Sequence, residues 1–332
     1  KGGVLLILII FANVCVMKST KLSPVVVTTW SFVEATKTAI LTLRDDNSAL
    51  DAIEFGCNYC EDDPAHCNFT VGYGGSPNDL GETTLDSMIM WAPTLELGCV
   101  GCLKRTKNAI SVARKVMELT THSILVGDDA TAFASHVGFP QHPLVTTRSL
   151  QVYQSWIEEG CQPNYWRNQS YSQCPTSKET KITFERPSVS EDNHDTIGMV
   201  AIDKDGNMAC GTSTNGLQYK IHGRVGDSPI PGAGAYCDQL VGGAAATGDG
   251  DIMVRFLISL RAVEEMRRGA SAQDAAEASL ALIPLYYPNT QAAIIVLSIT
   301  GDIGAASIGF GSWTYNYQRL TDSEPIIVSE GS

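Results

Sequence analysis

The sequence predicts an α+β fold in which helices are layered over antiparallel sheets. Each half of the chain contains a strand–turn–strand pattern and a segment with apolar side chains on one helical face. These segments are the hairpins over 196–202/208–214 and 292–299/303–308, and the helices over 107–119 and 251–268. Hairpins and helices together favour sheets covered by helices, in one large domain.

The other elements follow from local patterns. Apolar runs predict strands over 24–29, 84–90, 97–103 and 123–126, and capping and periodicity predict helices over 48–55 and 129–136. Ser48 has the side chain of an N-cap, and Asp51 stands three residues later, where it completes a capping box.

Composition excludes several classes of protein. The 332 residues are 44% hydrophobic and 18% charged, which supports a sizeable core and argues against disorder, collagen and coiled coils. The formal net charge is -13. An acidic chain is not expected to bind nucleic acid or an anionic membrane, because phosphate binding needs basic patches.

The first residues predict entry into the secretory pathway. Residues 4–17 are apolar except for Asn13, with lysines on both sides, so residues 1–23 are interpreted as a signal peptide; a signal anchor is the alternative. Fourteen residues are too few to span a bilayer comfortably, so no stable membrane insertion is expected. Asn68 and Asn168 begin glycosylation sequons.

The secretory route makes disulfides the expected state of paired cysteines among the ten in the chain. One set of cysteines and a histidine could in principle bind zinc: Cys57, Cys60, His66, Cys67, Cys99 and Cys102. Disulfides or buried thiols are the favoured interpretation of these cysteines. No metal is therefore predicted. Residues 160–193 are polar and aperiodic, which predicts an exposed irregular segment, and a Cys161–Cys174 bond would close a short loop there.

Thr196 begins a strand directly after that exposed segment. A threonine in a strand is ordinarily explained by β-propensity. Three downstream blocks, over residues 211–216, 222–234 and 242–250, combine hydroxyls, a neighbouring Arg and Asp, and glycines that core packing does not explain. Hydroxyls, a charged pair and exposed backbone amides in one chain are typical of a site for nucleophilic catalysis.

These blocks carry a specific resemblance. The sequence resembles the glycosylasparaginases (aspartylglucosaminidases), a family of N-terminal-nucleophile hydrolases. The matching blocks are VVVTTW at 25–30, GGSPNDLGETTLD at 74–86, KNAISVARK at 107–115, CQPNYWRN at 161–168, HDTIGM at 194–199 and the three glycine-rich blocks. They cover nearly the whole chain from residue 24. The resemblance implies a four-layer αββα sandwich.

The resemblance also implies autocatalytic cleavage between Asp195 and Thr196, which divides the chain into an α chain, 24–195, and a β chain, 196–332. The free α-amine of Thr196, with an ordinary pKa of about 7.7–8.0, would activate the hydroxyl of the same residue. The resemblance implies that Thr196 forms a β-aspartyl ester with the substrate. It also implies that Thr214 lies beside Thr196 and adjusts the reactivity of its hydroxyl. The Thr247 hydroxyl and the Gly248 amide form the oxyanion hole.

Substrate-binding roles follow from the same resemblance. Arg224 would bind the α-carboxylate and Asp227 the α-ammonium of an asparagine, and opposite charges a few residues apart suit such a zwitterion. The alternative is that Arg224 and Asp227 only pair with each other. Trp30 and residues 248–250, Gly250 among them, would shape the pocket; for Trp30, core packing is the alternative.

The substrate that the resemblance implies is a glycosylated asparagine, and the bond cleaved is the amide between N-acetylglucosamine and asparagine. The resemblance also implies a lysosomal enzyme that acts as a dimer of αβ units and needs no cofactor. The implied disulfides are Cys60–Cys67 and Cys161–Cys174. One departure from the family is Trp91, in the segment 90–93, where the family usually has Asp. An asparaginase or isoaspartyl peptidase on the same scaffold, and a catalytically silent homologue, are the alternatives.

Overall fold

A computed structural model gives the structure of the protein and describes residues 23–166, 174 and 196–331. Its helices are α1 (Val33–Arg44), α2 (Ala49–Asp62), α3 (Ala109–Leu119), α4 (Gly127–His136), α5 (Thr147–Glu158), α6 (Gly250–Met253), α7 (Ile258–Arg267), α8 (Ala272–Leu280) and α9 (Ile283–Tyr286). Its strands are β1 (Val25–Thr29), β2 (Leu85–Trp91), β3 (Glu96–Leu103), β4 (Ile124–Val126), β5 (Ile197–Ile202), β6 (Met208–Thr214), β7 (Ala235–Asp238), β8 (Gly242–Gly248), β9 (Ala292–Ser298), β10 (Ile303–Ile308), β11 (Ser312–Arg319) and β12 (Ile326–Gly331).

The strands form two sheets. The larger sheet has the order β12-β11-β1-β5-β6-β2-β3-β4, and the smaller has the order β10-β9-β8-β7. Neighbouring strands are antiparallel except β3 and β4, which are parallel. The predicted antiparallel sheets are thus present, with that one parallel pair at the edge.

The two sheets face each other, and helices cover both outer faces. β5 and β6 pack against β7 and β8, α1 to α3 pack on the larger sheet, and α7 and α8 pack on the smaller one. This arrangement is a four-layer α–β–β–α sandwich, which confirms the predicted α+β class. The main core lies between the sheets and under α1 to α3, and a second apolar cluster lies under α7 and α8.

Small residues let the two sheets approach each other closely. A Cβ atom added to Gly198 in β5 would lie 2.9 Å from the Cβ of Ala245 in β8, closer than side chains pack. β8 consists of glycine, alanine and one threonine, all buried. The glycine-rich block over 242–250 is therefore mostly a central strand, and a helix begins at its last residue, Gly250.

One predicted helix is wrong in its extent. Residues 251–268 form two helices, α6 and α7, separated at Leu257, whose φ of 49° lies in the left-handed region. The amide of Leu260 donates to the carbonyl oxygen of Gly232 (2.9 Å), and the Ser259 hydroxyl donates to the carbonyl oxygen of Ala233 (2.8 Å). These contacts replace the hydrogen bonds that a continuous helix would make.

Another helix is longer than predicted, and its start is as expected. The Ser48 hydroxyl accepts from the amide of Asp51 (3.2 Å), and the Asp51 carboxylate accepts from the amide of Ser48 (3.0 Å), which completes the capping box. α2 continues past residue 55 because its buried face extends through Cys57 and Cys60.

Disulfides join Cys60 to Cys67 and Cys161 to Cys174, the two pairings that the resemblance implies. Cys60 and Cys67 are therefore not thiolate ligands for the alternative zinc site. Within residues 23–166, 174 and 196–331, no cluster of three or more His, Cys, Asp or Glu side chains is arranged to hold a metal ion.

Several predictions fall on residues outside this description. The predicted signal peptide, except Ser23, lies outside the described residues, as do Asp195, Asn168 and most of residues 160–193. Asn68 is described and exposed; its glycosylation stays a prediction. In the described part of the chain, no helix is both long and apolar enough to cross a membrane.

Candidate active site

Thr196 lies immediately before β5, between the two sheets, and is fully buried. Its carbonyl oxygen accepts from the hydroxyl of Thr29 in β1 (2.8 Å). The same Thr29 hydroxyl oxygen accepts from the amide of Gly198 (2.8 Å). The strand neighbouring β5 thus fixes the backbone on both sides of Ile197, and Thr29 acquires a role that sequence reasoning missed.

Thr247 lies near the end of β8 and faces Thr196 from the opposite sheet. Its hydroxyl oxygen accepts from the backbone nitrogen of Thr196 (3.3 Å) and from the indole nitrogen of Trp30 (3.0 Å). A hydroxyl has two acceptor lone pairs and one proton. Because both lone pairs are occupied, the Thr247 proton is left to donate, as an oxyanion hole requires.

Trp30 packs in the core, as the alternative expects, and it also contacts a predicted site residue. It is 2% exposed and packs edge-on against Phe310 and Trp313, with ring centroids 5.5 and 6.3 Å away. Its indole nitrogen nevertheless points out of that aromatic cluster to Thr247. Trp30 is thus a core residue whose polar edge orients a site hydroxyl. We call Thr196, Thr247 and Trp30 the threonine cluster.

Ser228 extends the threonine cluster and was not among the predicted site residues. Its hydroxyl oxygen lies 3.5 Å from that of Thr196, and its carbonyl oxygen accepts from the Thr212 hydroxyl of β6 (2.6 Å). The sequence signal was the Gly226-Asp227-Ser228 block, which points equally to Asp227. A neutral hydroxyl at this place can orient the Thr196 hydroxyl, but it is not a base.

Thr214 occupies the position across from Thr196 at the end of the β5–β6 ladder. The register pairs Ile197 with Ser213, so one further step places Thr214 opposite Thr196. Its hydroxyl oxygen accepts from the amide of Gly216 (2.9 Å), which holds the turn after β6. On its other side Thr214 pairs with Asp86 of β2.

Arg224 and Asp227, which we call the clamp, lie on the loop between β6 and β7. The Arg224 Nε donates to Asp251 (3.1 Å), while its Nη2 is buried without a hydrogen-bond partner among the described residues. Asp227 is 2% exposed, and its Oδ2 is likewise buried and unsatisfied by any described residue. The alternative that Arg224 is occupied by Asp227 is wrong, since the ion-pair partner of Arg224 is Asp251.

Two glycines, Gly248 and Gly250, lie beside the threonine cluster and the clamp. A Cβ at Gly250 would lie 2.4 Å from Oδ1 of Asp227 and 3.2 Å from Nη2 of Arg224. A Cβ at Gly248, whose φ is +133°, would lie 2.4 Å from the carbonyl oxygen of Gln291. Both positions therefore require glycine, and a side chain at residue 250 would occupy space next to the unsatisfied clamp atoms.

Burial sets the electrostatics of the clamp. It raises the pKa of Asp227 to about 7; the charge of Arg224 opposes this shift, and those of Asp251 and Asp249 add to it. Burial alone would lower the pKa of Arg224, but Asp251 and Asp86 outweigh it and raise that pKa. A buried carboxyl with one oxygen that no described residue satisfies is a candidate to bind a ligand cation, and such a cation would stabilise its ionised form.

Comparison with known proteins agrees with this geometry. The family described as Asparaginase matches residues 4–319, which is most of the chain. The chain belongs to the asparaginase family. In this chain the predicted site lies where the two sheets come together, at Thr196 and Thr247.

Named relatives are similar over nearly their whole length. The chain is 48% identical over 310 residues to the mouse (Mus musculus) N(4)-(beta-N-acetylglucosaminyl)-L-asparaginase, covering 91% of this chain and 89% of the mouse protein. It is 50% identical over 294 residues to the rat (Rattus norvegicus) protein of that name, covering 85% and 84%. The resemblance to glycosylasparaginases is thus confirmed, and this asparaginase-family chain is an amide hydrolase.

The departure at Trp91 lies far from this site. Trp91 ends β2 and pairs with Ala209, whereas Asp86, near the other end of β2, pairs with Thr214. Trp91 lies five positions after Asp86 along the strand, about 17 Å at about 3.3 Å per residue. Trp91 is partly buried and packs on the main core.

Proposed function

We propose that the protein hydrolyses the amide bond between N-acetylglucosamine and the side-chain nitrogen of asparagine, in glycoprotein breakdown, with Thr196 as the nucleophile. The observation that carries the proposal is the position of Thr196: a buried threonine whose backbone nitrogen lies 3.3 Å from the Thr247 hydroxyl oxygen. The names of the mouse and rat relatives specify this bond.

The catalytic state requires a free α-amine on Thr196, which cleavage after Asp195 would create. In an autocatalytic cut the Thr196 hydroxyl attacks the Asp195 carbonyl carbon, the peptide C–N bond breaks, and water hydrolyses the resulting ester. The α chain would then comprise residues 24–195 and the β chain residues 196–332. Thr29, which accepts from the amide of Gly198, would hold the new terminus in place after the cut.

Acylation follows from the positions of the hydroxyls. The Thr196 oxygen bonds to the side-chain carbonyl carbon of the substrate, and its proton passes to the α-amine, which is the base. Negative charge develops on the carbonyl oxygen, where the Thr247 proton is free to donate and the Gly248 amide is the second donor. The amine then returns the proton to the leaving nitrogen, the C–N bond breaks, and the glycosylamine departs.

Deacylation reverses the roles. Water attacks the β-aspartyl ester and gives its proton to the α-amine, and the Thr196 oxygen leaves with that proton. Aspartate is released, and the enzyme is regenerated. Throughout, Ser228 and Thr214 are positioning residues, because each lies beside Thr196 without being a base.

The clamp selects the amino-acid end of the substrate. The Nη2 of Arg224 and the Oδ2 of Asp227 are buried and unsatisfied by described residues, and such atoms cost free energy until a ligand satisfies them. An α-carboxylate on Arg224 and an α-ammonium on Asp227 would satisfy both. Ser228, the residue after Asp227, contacts Thr196, so a substrate held by the clamp presents its side chain to the nucleophile.

Location and assembly are part of the same proposal. A signal peptide over residues 1–23 would direct the chain into the secretory pathway, by which it would reach the lysosome with glycans on Asn68 and Asn168. Two αβ units would associate as an (αβ)2 dimer. Comparing the mass of the purified protein with that of one αβ unit tests the assembly.

The function is tested by sequencing the N-termini of the purified protein and assaying it on three substrates. We expect a second terminus at Thr196 and the highest kcat/KM on N4-(β-N-acetylglucosaminyl)-L-asparagine. Preference for free asparagine or β-aspartyl dipeptides would instead make it an asparaginase or isoaspartyl peptidase. A single uncut chain with no activity would make it a silent homologue.

A further inference from the structure

Lys220 is a buried lysine that the reaction above does not use. It lies in the loop after β6 and is 1% exposed. Its Nζ donates to the carbonyl oxygen of Asn215 (2.7 Å) and lies 3.5 Å from that of Thr84. Burying an ammonium group is unfavourable unless opposite charges compensate it. A structural loop anchor would not require a cation here, so the charge of Lys220 needs its own explanation.

Lys220 lies beside Arg224 of the clamp. A Cβ added to Gly216 would lie 2.8 Å from Nζ of Lys220 and 3.2 Å from Nη1 of Arg224, so both cations border the same glycine. Burial lowers the pKa of Lys220, and the charge of Arg224 lowers it further. Among the residues that the structure describes, Lys220 forms no ion pair within 4.0 Å.

Asp86 lies close to both cations. It stands two residues after Thr84, whose carbonyl oxygen lies 3.5 Å from Nζ of Lys220. It also pairs with Thr214, two residues before the glycine that borders Lys220 and Arg224. It is fully buried in β2, and its Oδ1 accepts from the amide of Cys102 (2.7 Å). Its Oδ2 is buried without a hydrogen-bond partner in the described part of the chain. The charge of Asp86 raises the pKa values of both Lys220 and Arg224.

The charges around the clamp explain why a second cation is present. Arg224 is faced by two carboxylates, Asp251 and Asp86, and these alone would leave the group with a net negative charge. A negative group would repel the carboxylate of a ligand. Lys220 offsets Asp86, so these two cations and two carboxylates are together neutral rather than negative. A carboxylate can then approach the buried Nη2 of Arg224 without that repulsion.

We propose that Lys220 is a positioning and specificity residue of the clamp: its charge offsets Asp86 and thereby lets Arg224 bind the α-carboxylate of the substrate. This inference rests on the proposed role of Arg224 in substrate binding. It adds Lys220 and Asp86 to the residues that determine which amino-acid end the site accepts.

The test compares two ligands that differ only in the α-carboxylate. L-Aspartate and its α-amide, isoasparagine, are titrated into the purified mature enzyme by calorimetry, so that no turnover is needed. Lys220→Met is expected to weaken L-aspartate binding at least tenfold and isoasparagine binding by less than threefold. In the hydrolysis assay KM should rise and kcat should change little. Lys204→Met, at a lysine paired with Asp46 on the surface, is the matched control.

Asp86→Asn gives the opposite sign and keeps an acceptor for Cys102. Removing this anion should strengthen L-aspartate binding and leave isoasparagine binding unchanged. Asp86→Asn can also test the proposal on its own if Lys220→Met does not fold. Lys220→Arg keeps the positive charge and should bind L-aspartate as tightly as the wild-type enzyme does. Equal losses for both ligands in Lys220→Met, or weaker L-aspartate binding in Asp86→Asn, would overturn the proposal.

The two proposals fail differently. If the wild-type enzyme binds L-aspartate but does not hydrolyse the glycosylated substrate, the proposed function is wrong and the role of Lys220 is still measured. If the enzyme is active and Lys220→Met binds both ligands normally, only the role of Lys220 is wrong.

Discussion

The threonine cluster and the clamp lie side by side, yet their polar atoms are satisfied in different ways. In the threonine cluster, Thr247 accepts from Trp30 and from the backbone nitrogen of Thr196, so the geometry is fixed by the protein itself. In the clamp, Nη2 of Arg224 and Oδ2 of Asp227 are buried and lack partners among the described residues. This difference fits the two proposed roles, in which preorganised hydrogen bonds assist the chemical step and unsatisfied charged groups bind the substrate.

The largest expected effect is at Thr196. Thr196→Ala removes the hydroxyl that we propose to act in both cleavage and hydrolysis, so the purified protein should be a single chain without detectable activity. Gel electrophoresis and the hydrolysis assay measure these two outcomes. Thr196→Ser keeps a hydroxyl and is the control, which should still be cut. Two chains in Thr196→Ala would show that another protease makes the cut.

The next effect concerns Thr247 and separates chemistry from binding. Thr247→Val has nearly the same shape but neither accepts from Thr196 and Trp30 nor donates to an oxyanion. Loss of one oxyanion donor lowers kcat about 10²–10³-fold. Calorimetry with L-aspartate on the mature variant should show a much smaller change, and Thr247→Ser should retain most of the activity. If Thr247→Val instead weakened L-aspartate binding and left kcat unchanged, the threonine cluster and the clamp would not differ in role as proposed.

A smaller effect follows from the titration of Asp227. Its pKa in the free protein is about 7, and a bound ammonium favours the ionised form. Because the carboxyl is protonated below its pKa, lowering the pH from 8 to 6 should weaken L-aspartate binding about tenfold. Calorimetry at several pH values measures this dependence.

Asp227→Asn is the control for that titration. It keeps the size of the side chain but cannot ionise, so its binding should not weaken further as the pH is lowered from 8 to 6. If the variant kept the wild-type dependence, another group would be responsible for it.

Sequence alone predicted most of the site because its residues stand in short, specific blocks. Thr196 contacts Thr247 and Ser228, and Asp227, the residue before Ser228, borders the same glycine as Arg224. The roles that the resemblance implies for these residues stay predictions. Ser228, Lys220 and Asp86 were missed, since their importance depends on contacts between segments far apart in the chain.

The errors in secondary structure have the same origin. The helix predicted over 251–268 breaks at Leu257 because Leu260 and Ser259 bond to the loop at Gly232 and Ala233. Local periodicity contains no information about that loop. β8, with its glycines and alanines, has little strand propensity and becomes a strand because β7 and β9 pair with it.

The smallest effect tests how local the threonine cluster is, by making one substitution at two tryptophans. Trp30→Phe keeps an aromatic ring but removes the N–H that orients Thr247, and we expect kcat to fall about tenfold, the cost of roughly one hydrogen bond. Trp91→Phe removes the same group at the distant end of β2, where the chain departs from its family. There kcat/KM should stay within about twofold of wild type, and only the melting temperature should decrease slightly, because a half-buried ring becomes smaller. If Trp91→Phe reduced kcat as much as Trp30→Phe, packing transmitted along β2 would control the site, and the direct contact between Trp30 and Thr247 could no longer be the explanation.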